Sequence, residues 1–153
     1  MNHVSLTCEG VRKPPWADRC LRVCRKILAA LGKERWDVSL LLCNDAFIRD
    51  LNARYRRKNR PTDVLTFAQA EGDGPRNKGD DGRFTAGDVV ISLDSLRANC
   101  QNYGTSRDDE LKRLLVHGML HLAGRDHPTD NEDEPMLIEQ ERLLARLKKE
   151  RII

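Results

Sequence analysis

Long apolar runs are missing from this sequence. No stretch of about 18 uncharged, apolar residues occurs, so no membrane-spanning helix is expected. The opening MNHVSLTCEGVRK has neither the charged start nor the apolar core of a signal peptide, and the chain is expected to stay in the cytoplasm. Cysteine at metal or redox spacing is missing as well. The five cysteines (Cys8, Cys20, Cys24, Cys43 and Cys100) are odd in number and contain no C-x-x-C pair. In a reducing compartment they read as free thiols used as small apolar residues. Cys20 and Cys24 stand one helical turn apart, in register with Ile27, Leu28 and Leu31, which is core spacing. A large charge of one sign is absent too: the formal net charge is +3, which alone says little about partners. Its distribution says more. Arg54 to Arg60 reads RYRRKNR, while Asp130 to Glu134 is acidic.

What remains is a chain of 153 residues, enough for one substantial core and too few for two. A first strand is expected near Val4 and Leu6. Pro14 and Pro15 precede, and Gly32 follows, a helical pattern from Trp16 to Leu31. Val38 to Cys43 is a compact apolar run of buried-strand type. Asn44 or Asp45 can cap a second helix carrying Phe47, Ile48, Leu51 and Tyr55 on one face, and that helix must end before Pro61. Val64 to Phe67 reads as a strand. The polar, glycine-rich QAEGDGPRNKGDDGRFTA that follows reads as a long, mobile and functional loop. Gly87 opens another strand, GDVVIS, and a helix follows near Ser95 to Asn102. Ser106 and Asp109 resemble a capping box for a helix through Leu122 that Gly124 ends. A last helix is expected from Pro135 to Lys149, acidic at its start and basic at its end. The sum is one α+β domain.

The segment His117-Gly-Met-Leu-His121-Leu-Ala-Gly124-Arg-Asp-His127 concentrates the chemistry. His117 and His121 are four apart on a helix, so both imidazoles leave the same face. Gly124 can take the left-handed conformation that ends a helix, and the turn lets His127 reach the same point. Three neutral imidazoles suit zinc, with nickel, copper and iron as lesser fits. A structural zinc is usually closed by four ligands rich in cysteine, and no cysteine lies near this segment, so an open site is expected. Asp126 can be a fourth ligand or can orient an imidazole. The same H-x-x-x-H-x-x-G-x-x-H spacing occurs in metzincin peptidases, which carry glutamate directly after the first histidine as general base. Here that position is Gly118, which argues against peptide hydrolysis.

HGMLHLAGRDH resembles the H-G-x-L-H-L-x-G-[YF]-D-H signature of the YbeY family of bacterial endoribonucleases. Two further blocks are similar to that family: LNARYRRKNRPTDVLTFA, from Leu51 to Ala68, and GDVVIS, from Gly87 to Ser92. Arg125, Asn59, Thr66 and Ala68 depart from the pattern, and none of these changes removes a histidine. The resemblance implies an α+β fold with a small mixed four-stranded sheet, about five helices, and the zinc helix beside the sheet. It implies a zinc-dependent, single-strand-specific endoribonuclease of one domain over residues 1–153. Its roles would be rRNA maturation, including 16S rRNA 3′-end processing, and 70S ribosome quality control. The implied partners are single-stranded RNA or rRNA and ribosome or small-subunit proteins, with no DNA and no membrane. Ligands map onto His117, His121 and His127, and the functional arginine maps onto Arg56, with His117 and Arg56 as the catalytic pair. Arg54, Arg57, Lys58 and Arg60 would hold flanking phosphates without reading sequence. The motif places no obvious general base, so attack by the substrate's 2′-hydroxyl and attack by a water activated at the metal both stay open. So does an assembly factor whose zinc is structural.

Overall fold

The computed structural model describes residues 1–69 and 81–153. The elements run β1 (His3–Glu9), α1 (Ala17–Ala30), β2 (Trp36–Cys43), α2 (Asp45–Arg56), β3 (Val64–Ala68), β4 (Phe84–Ser92), α3 (Leu93–Tyr103), α4 (Arg107–Leu122) and α5 (Pro135–Arg146). The four strands form one mixed sheet in the order β1-β2-β4-β3. β1, β2 and β4 are parallel, and β3 returns antiparallel along β4 as an edge. The expected α+β class, four-stranded mixed sheet and five helices are all present.

Alternation along the strands divides the molecule. Val4, Val38, Leu40, Leu42, Val89 and Ile91 point to one face and are buried together with residues of α1 and α4, including Cys20, Cys24, Ile27, Leu28, Leu114 and Leu115. A fully buried Leu or Ile contributes about 1.5–3 kcal/mol, so this larger cluster holds the fold. On the other face α2 packs Ile48 against Cys43 and Val90 in a much smaller cluster. Burial pushes the Cys43 thiol up to about 12, with the Asp45 and Asp94 carboxylates adding to the effect. That thiol stays protonated and inert.

Two boundaries differ from the sequence reading. The strand placed at Gly87 begins at Phe84. Phe84 pairs with Trp36, their rings 5.1 Å apart, and a register shift follows between Asp37 and Val38. Gly87, at φ 136°, is needed inside the strand because a Cβ there would stand 2.1 Å from the Phe67 carbonyl oxygen. The last helix stops at Arg146 rather than Lys149, because α4 pulls the following residues inward. Buried Lys112 donates to the carbonyl oxygens of Glu150 (3.0 Å) and Leu147 (3.4 Å). Asp108 accepts from the amides of Ile152 (2.7 Å) and Ile153 (3.0 Å), and Ile152 is fully buried. The expected long loop, which began at Gln69 and ended at Ala86, falls largely on residues 70–80, outside the described residues.

Candidate metal centre

Helix α4 is built to present its C-terminal turn. The Ser106 side chain accepts from the Asp109 amide at 3.0 Å, and Asp108, Asp109 and Glu110 fill the first turn, where the helix dipole favours anions. Ten of its residues are buried against sheet and helices, so its direction is set along its length. Close approach to the sheet is made at Gly118: a Cβ there would lie 2.8 and 3.2 Å from the two methyls of Val89. The position where a metzincin carries its glutamate is therefore pressed against β4, with no room for a side chain of any size. His117 and His121 leave the helix one turn apart on the same side. Gly124, at φ 88°, turns the chain, and His127 closes the triangle. Ring centroids are 4.7 Å apart for His117 and His121, 5.0 Å for His117 and His127, and 5.5 Å for His121 and His127.

Each imidazole is tied by the same nitrogen. Nδ1 of His117 meets the Gln140 side-chain oxygen at 2.8 Å, Nδ1 of His121 the Arg125 carbonyl at 3.0 Å, and Nδ1 of His127 the Thr129 carbonyl at 3.1 Å. All three partners are acceptors, so each Nδ1 carries the proton and each Nε2 is left with a bare lone pair. Those lone pairs converge. Nε2 of His117 and Nε2 of His121 are 3.2 Å apart, and one ligand atom from each of the three rings lies within 4.8 Å of the others. Two unprotonated nitrogens at that separation repel unless a cation lies between them. Bond lengths of about 2.0–2.1 Å in a tetrahedron set neighbouring nitrogens about 3.3 Å apart, so the residues present fit a zinc ion. Burial pushes His117 and His121 below the ordinary histidine pKa, and neighbouring histidines push the same way, against the hydrogen bonds that the two rings donate to Gln140 and Arg125. Both are neutral at pH 7, as ligation requires.

Asp126 is not a member of the ligand group; its Oδ1 takes the amide of His127 at 2.8 Å and shapes the turn. Arg125 is held by Glu139 and by the carbonyl of Ala123, to which its Nη1 donates at 3.0 Å. A cleft of about 540 Å³ opens beside the histidines. His117, His121, Arg125 and Asp126 line one wall, and Arg56 with edge strand β3 lines the other. Arg56 donates from Nη2 to the Thr66 carbonyl at 2.7 Å, and its guanidinium lies 5.0 Å from the centre of the Phe67 ring. With one donor used, the fork has further N–H groups to offer an anion.

The rest of the basic run is not at the cleft. The helix ends at Arg56, and Arg57 takes a left-handed conformation at φ 58°. Arg54 pairs with Asp50 at 2.9 Å, and Arg57, Lys58 and Arg60 are exposed on the segment that follows. Gln140 escaped the sequence reading. Its signal was there: it stands four residues after Met136 and three before Leu143 on the buried face of α5, a polar residue at a core position.

The family model described as endoribonuclease YbeY matches residues 9–148 of the chain. The chain belongs to that family. An endoribonuclease YbeY of Treponema pallidum is 42% identical over 146 residues, covering 95% of this chain and 89% of its own length. One from Treponema denticola is 48% identical over 123 residues, 80% of this chain and 78% of the relative. The relative from Aquifex aeolicus is 38% identical over 147 residues, covering 95% and 91%. A solution structure from Thermotoga maritima shares the fold, with TM-score 0.65 at 22% identity over 95% of this chain and 89% of that one. Arg56, the three histidines and Gln140 all fall within the span matched by the YbeY family model.

Proposed function

We propose that the chain is a zinc-dependent endoribonuclease that cuts single-stranded RNA in the cytoplasm. The observation that carries this reading is the common tautomer of the histidines: three Nδ1–H groups each held by an acceptor, with a ligand atom of each ring within 4.8 Å of the others, beside a cleft that His117, His121 and Arg56 line. Membership of the endoribonuclease YbeY family supplies the substrate class. The family resemblance further supports rRNA as the substrate, 16S rRNA 3′-end maturation and 70S ribosome quality control as the setting, and ribosome or small-subunit proteins as partners.

His117, His121 and His127 would hold the zinc. When bound, zinc supplies a Lewis acid for a phosphoryl oxygen and lowers the pKa of a water to about 7. Arg56, braced by Thr66 and stacked on Phe67, offers a planar, permanently charged donor pair to the phosphate. Edge strand β3 lines the cleft with Arg56 and fixes its guanidinium through the Thr66 carbonyl. Arg57, Lys58 and Arg60, outside the cleft, would attract flanking phosphates.

Elemental analysis and cleavage of single-stranded RNA test the reading together. The purified protein is expected to hold about one zinc per chain. His121→Ala loses most of it and loses cleavage, whereas Arg56→Ala keeps the zinc and loses cleavage. A metal-replete wild type that leaves RNA intact would overturn the enzymatic assignment and leave a structural metal.

A further inference from the structure

A second cleft, of about 530 Å³, lies on the α2 side of the sheet. Phe47 and Tyr55 of α2 and Phe67 of β3 supply its aromatic walls, and Thr7, Ser39 and Asp88 supply polar groups along the strands. Tyr55 is 58% exposed, so its ring is open to a ligand. It meets Phe67 edge to face, ring centroids 5.4 Å apart. Phe67 in turn lies under the Arg56 guanidinium. Phe67 and Asp88 are direct partners across the β3–β4 pair, and Asp88 is aligned with Ser39 on β2. The Asp88 carboxylate has no hydrogen-bond or ion-pair partner among the described residues. Arg56 lines the histidine cleft, and the ring beneath its guanidinium, Phe67, lines the aromatic groove, so the two clefts adjoin there.

We propose that this groove binds one nucleobase of the RNA strand whose phosphate is held at Arg56; the proposal rests on the RNA-cleaving reading above. The chemistry rejects the alternatives within RNA. A phosphate would meet aromatic rings and the Asp88 anion, so the backbone stays at Arg56. A base offers a π-face to Tyr55 and a polar edge to Asp88. Only an unstacked base can turn its face and edge together into such a groove, which makes the site selective for single strands. Asp88 is an acceptor, so the favoured base presents donors. Guanine, with adjacent N1–H and N2–H groups, can give a carboxylate two parallel bonds, while uracil offers one N–H between two repelling carbonyls.

The test measures fluorescence anisotropy of the zinc-loaded protein with short, labelled 2′-O-methyl oligonucleotides, checked to be intact afterwards. Tyr55→Ala is expected to weaken binding about tenfold, the effect of removing one base–aromatic stack. Tyr55→Phe restores it, and an abasic oligonucleotide binds wild type and Tyr55→Ala alike. Guanine-containing strands bind more tightly than all-uracil strands, and Asp88→Asn removes the margin. If Tyr55→Ala binds base-bearing strands as well as wild type does, the proposal is overturned and the groove serves a different occupant, such as a protein side chain. Cleavage of unmodified RNA is followed in parallel. Normal cleavage with no Tyr55 effect overturns the base site alone, and a Tyr55 effect without zinc-dependent cleavage overturns the nuclease reading alone.

Discussion

Replacing Gln140 by leucine keeps the volume of a buried α5 side chain and removes the acceptor of His117 Nδ1. Gln140 is 5% exposed and its oxygen lies 2.8 Å from that nitrogen, so the acceptor is lost from a nearly buried contact between α4 and α5. Two costs follow. The imidazole loses the bond that fixes its tautomer and its rotation, and such outer partners are worth about 10–100-fold in metal affinity, or about 1.4–2.7 kcal/mol. The stranded N–H also destabilises the fold by about 1–3 kcal/mol. Gln140→Glu moves the metal affinity the other way, because a carboxylate makes His117 a stronger donor. The assay is competition for zinc against a chromogenic chelator, with melting curves of the metal-free proteins to separate affinity from stability. The order expected is Gln140→Glu tightest, wild type next, Gln140→Leu weaker, His117→Ala weakest. If Gln140→Leu holds zinc as tightly as wild type, the common-tautomer argument for the site is wrong.

Gly118→Ala places a methyl 2.8 Å from stiff, buried Val89, so urea denaturation is expected to show a loss of about 1–3 kcal/mol, partly recovered by adding Val89→Ala. Asp108 sits below the ordinary carboxylate pKa: burial pushes it up, but the Ile152 and Ile153 amides and Lys112 outweigh that. A depressed folded pKa means that its stabilisation is complete well above the unfolded value of 3.8 and is lost as pH falls through the folded value. Denaturation midpoints at pH 7 and pH 3 should therefore differ less in Asp108→Asn than in wild type, and an equal difference would remove Asp108 from the acid response. Changing Arg57 and Lys58 together to glutamine is expected to flatten the salt dependence of RNA binding by up to about 1.4 in log–log slope, at about 0.7 per phosphate contact, with zinc content unchanged; an unaltered slope would mark the run as a solvated helix end.

Much of this architecture was legible in the chain because its signals are local. Capping at Asn44 and Ser106, the compact apolar run from Val38 to Cys43, and the histidine spacing on α4 depend on neighbours within a few residues. The histidine triangle was expected for that reason, and the placement of Arg56 opposite it came through the family resemblance. What escaped depends on distant partners. β4 starts at Phe84 because Trp36 waits across the sheet. α5 stops at Arg146 because Lys112 and Asp108 bind the backbone that follows. Gln140 acquires its meaning from a histidine 23 residues earlier. The basic run looked uniform in one dimension, yet the left-handed Arg57 separates Arg56 from the cations after it.

The three histidines span eleven residues and meet around a single turn, with the 123–134 segment tied to itself through Thr129, Asn131 and Glu134. Closing so short a loop costs little chain entropy, so a bound ion would staple almost nothing that the core does not already hold. Metal loss would then be a local event rather than a cooperative one. Amides between residues 123 and 134 would exchange with solvent when the ion leaves, while those of β2, β4 and α1 keep their protection. A bound ion would then exchange without the chain passing through an unfolded state.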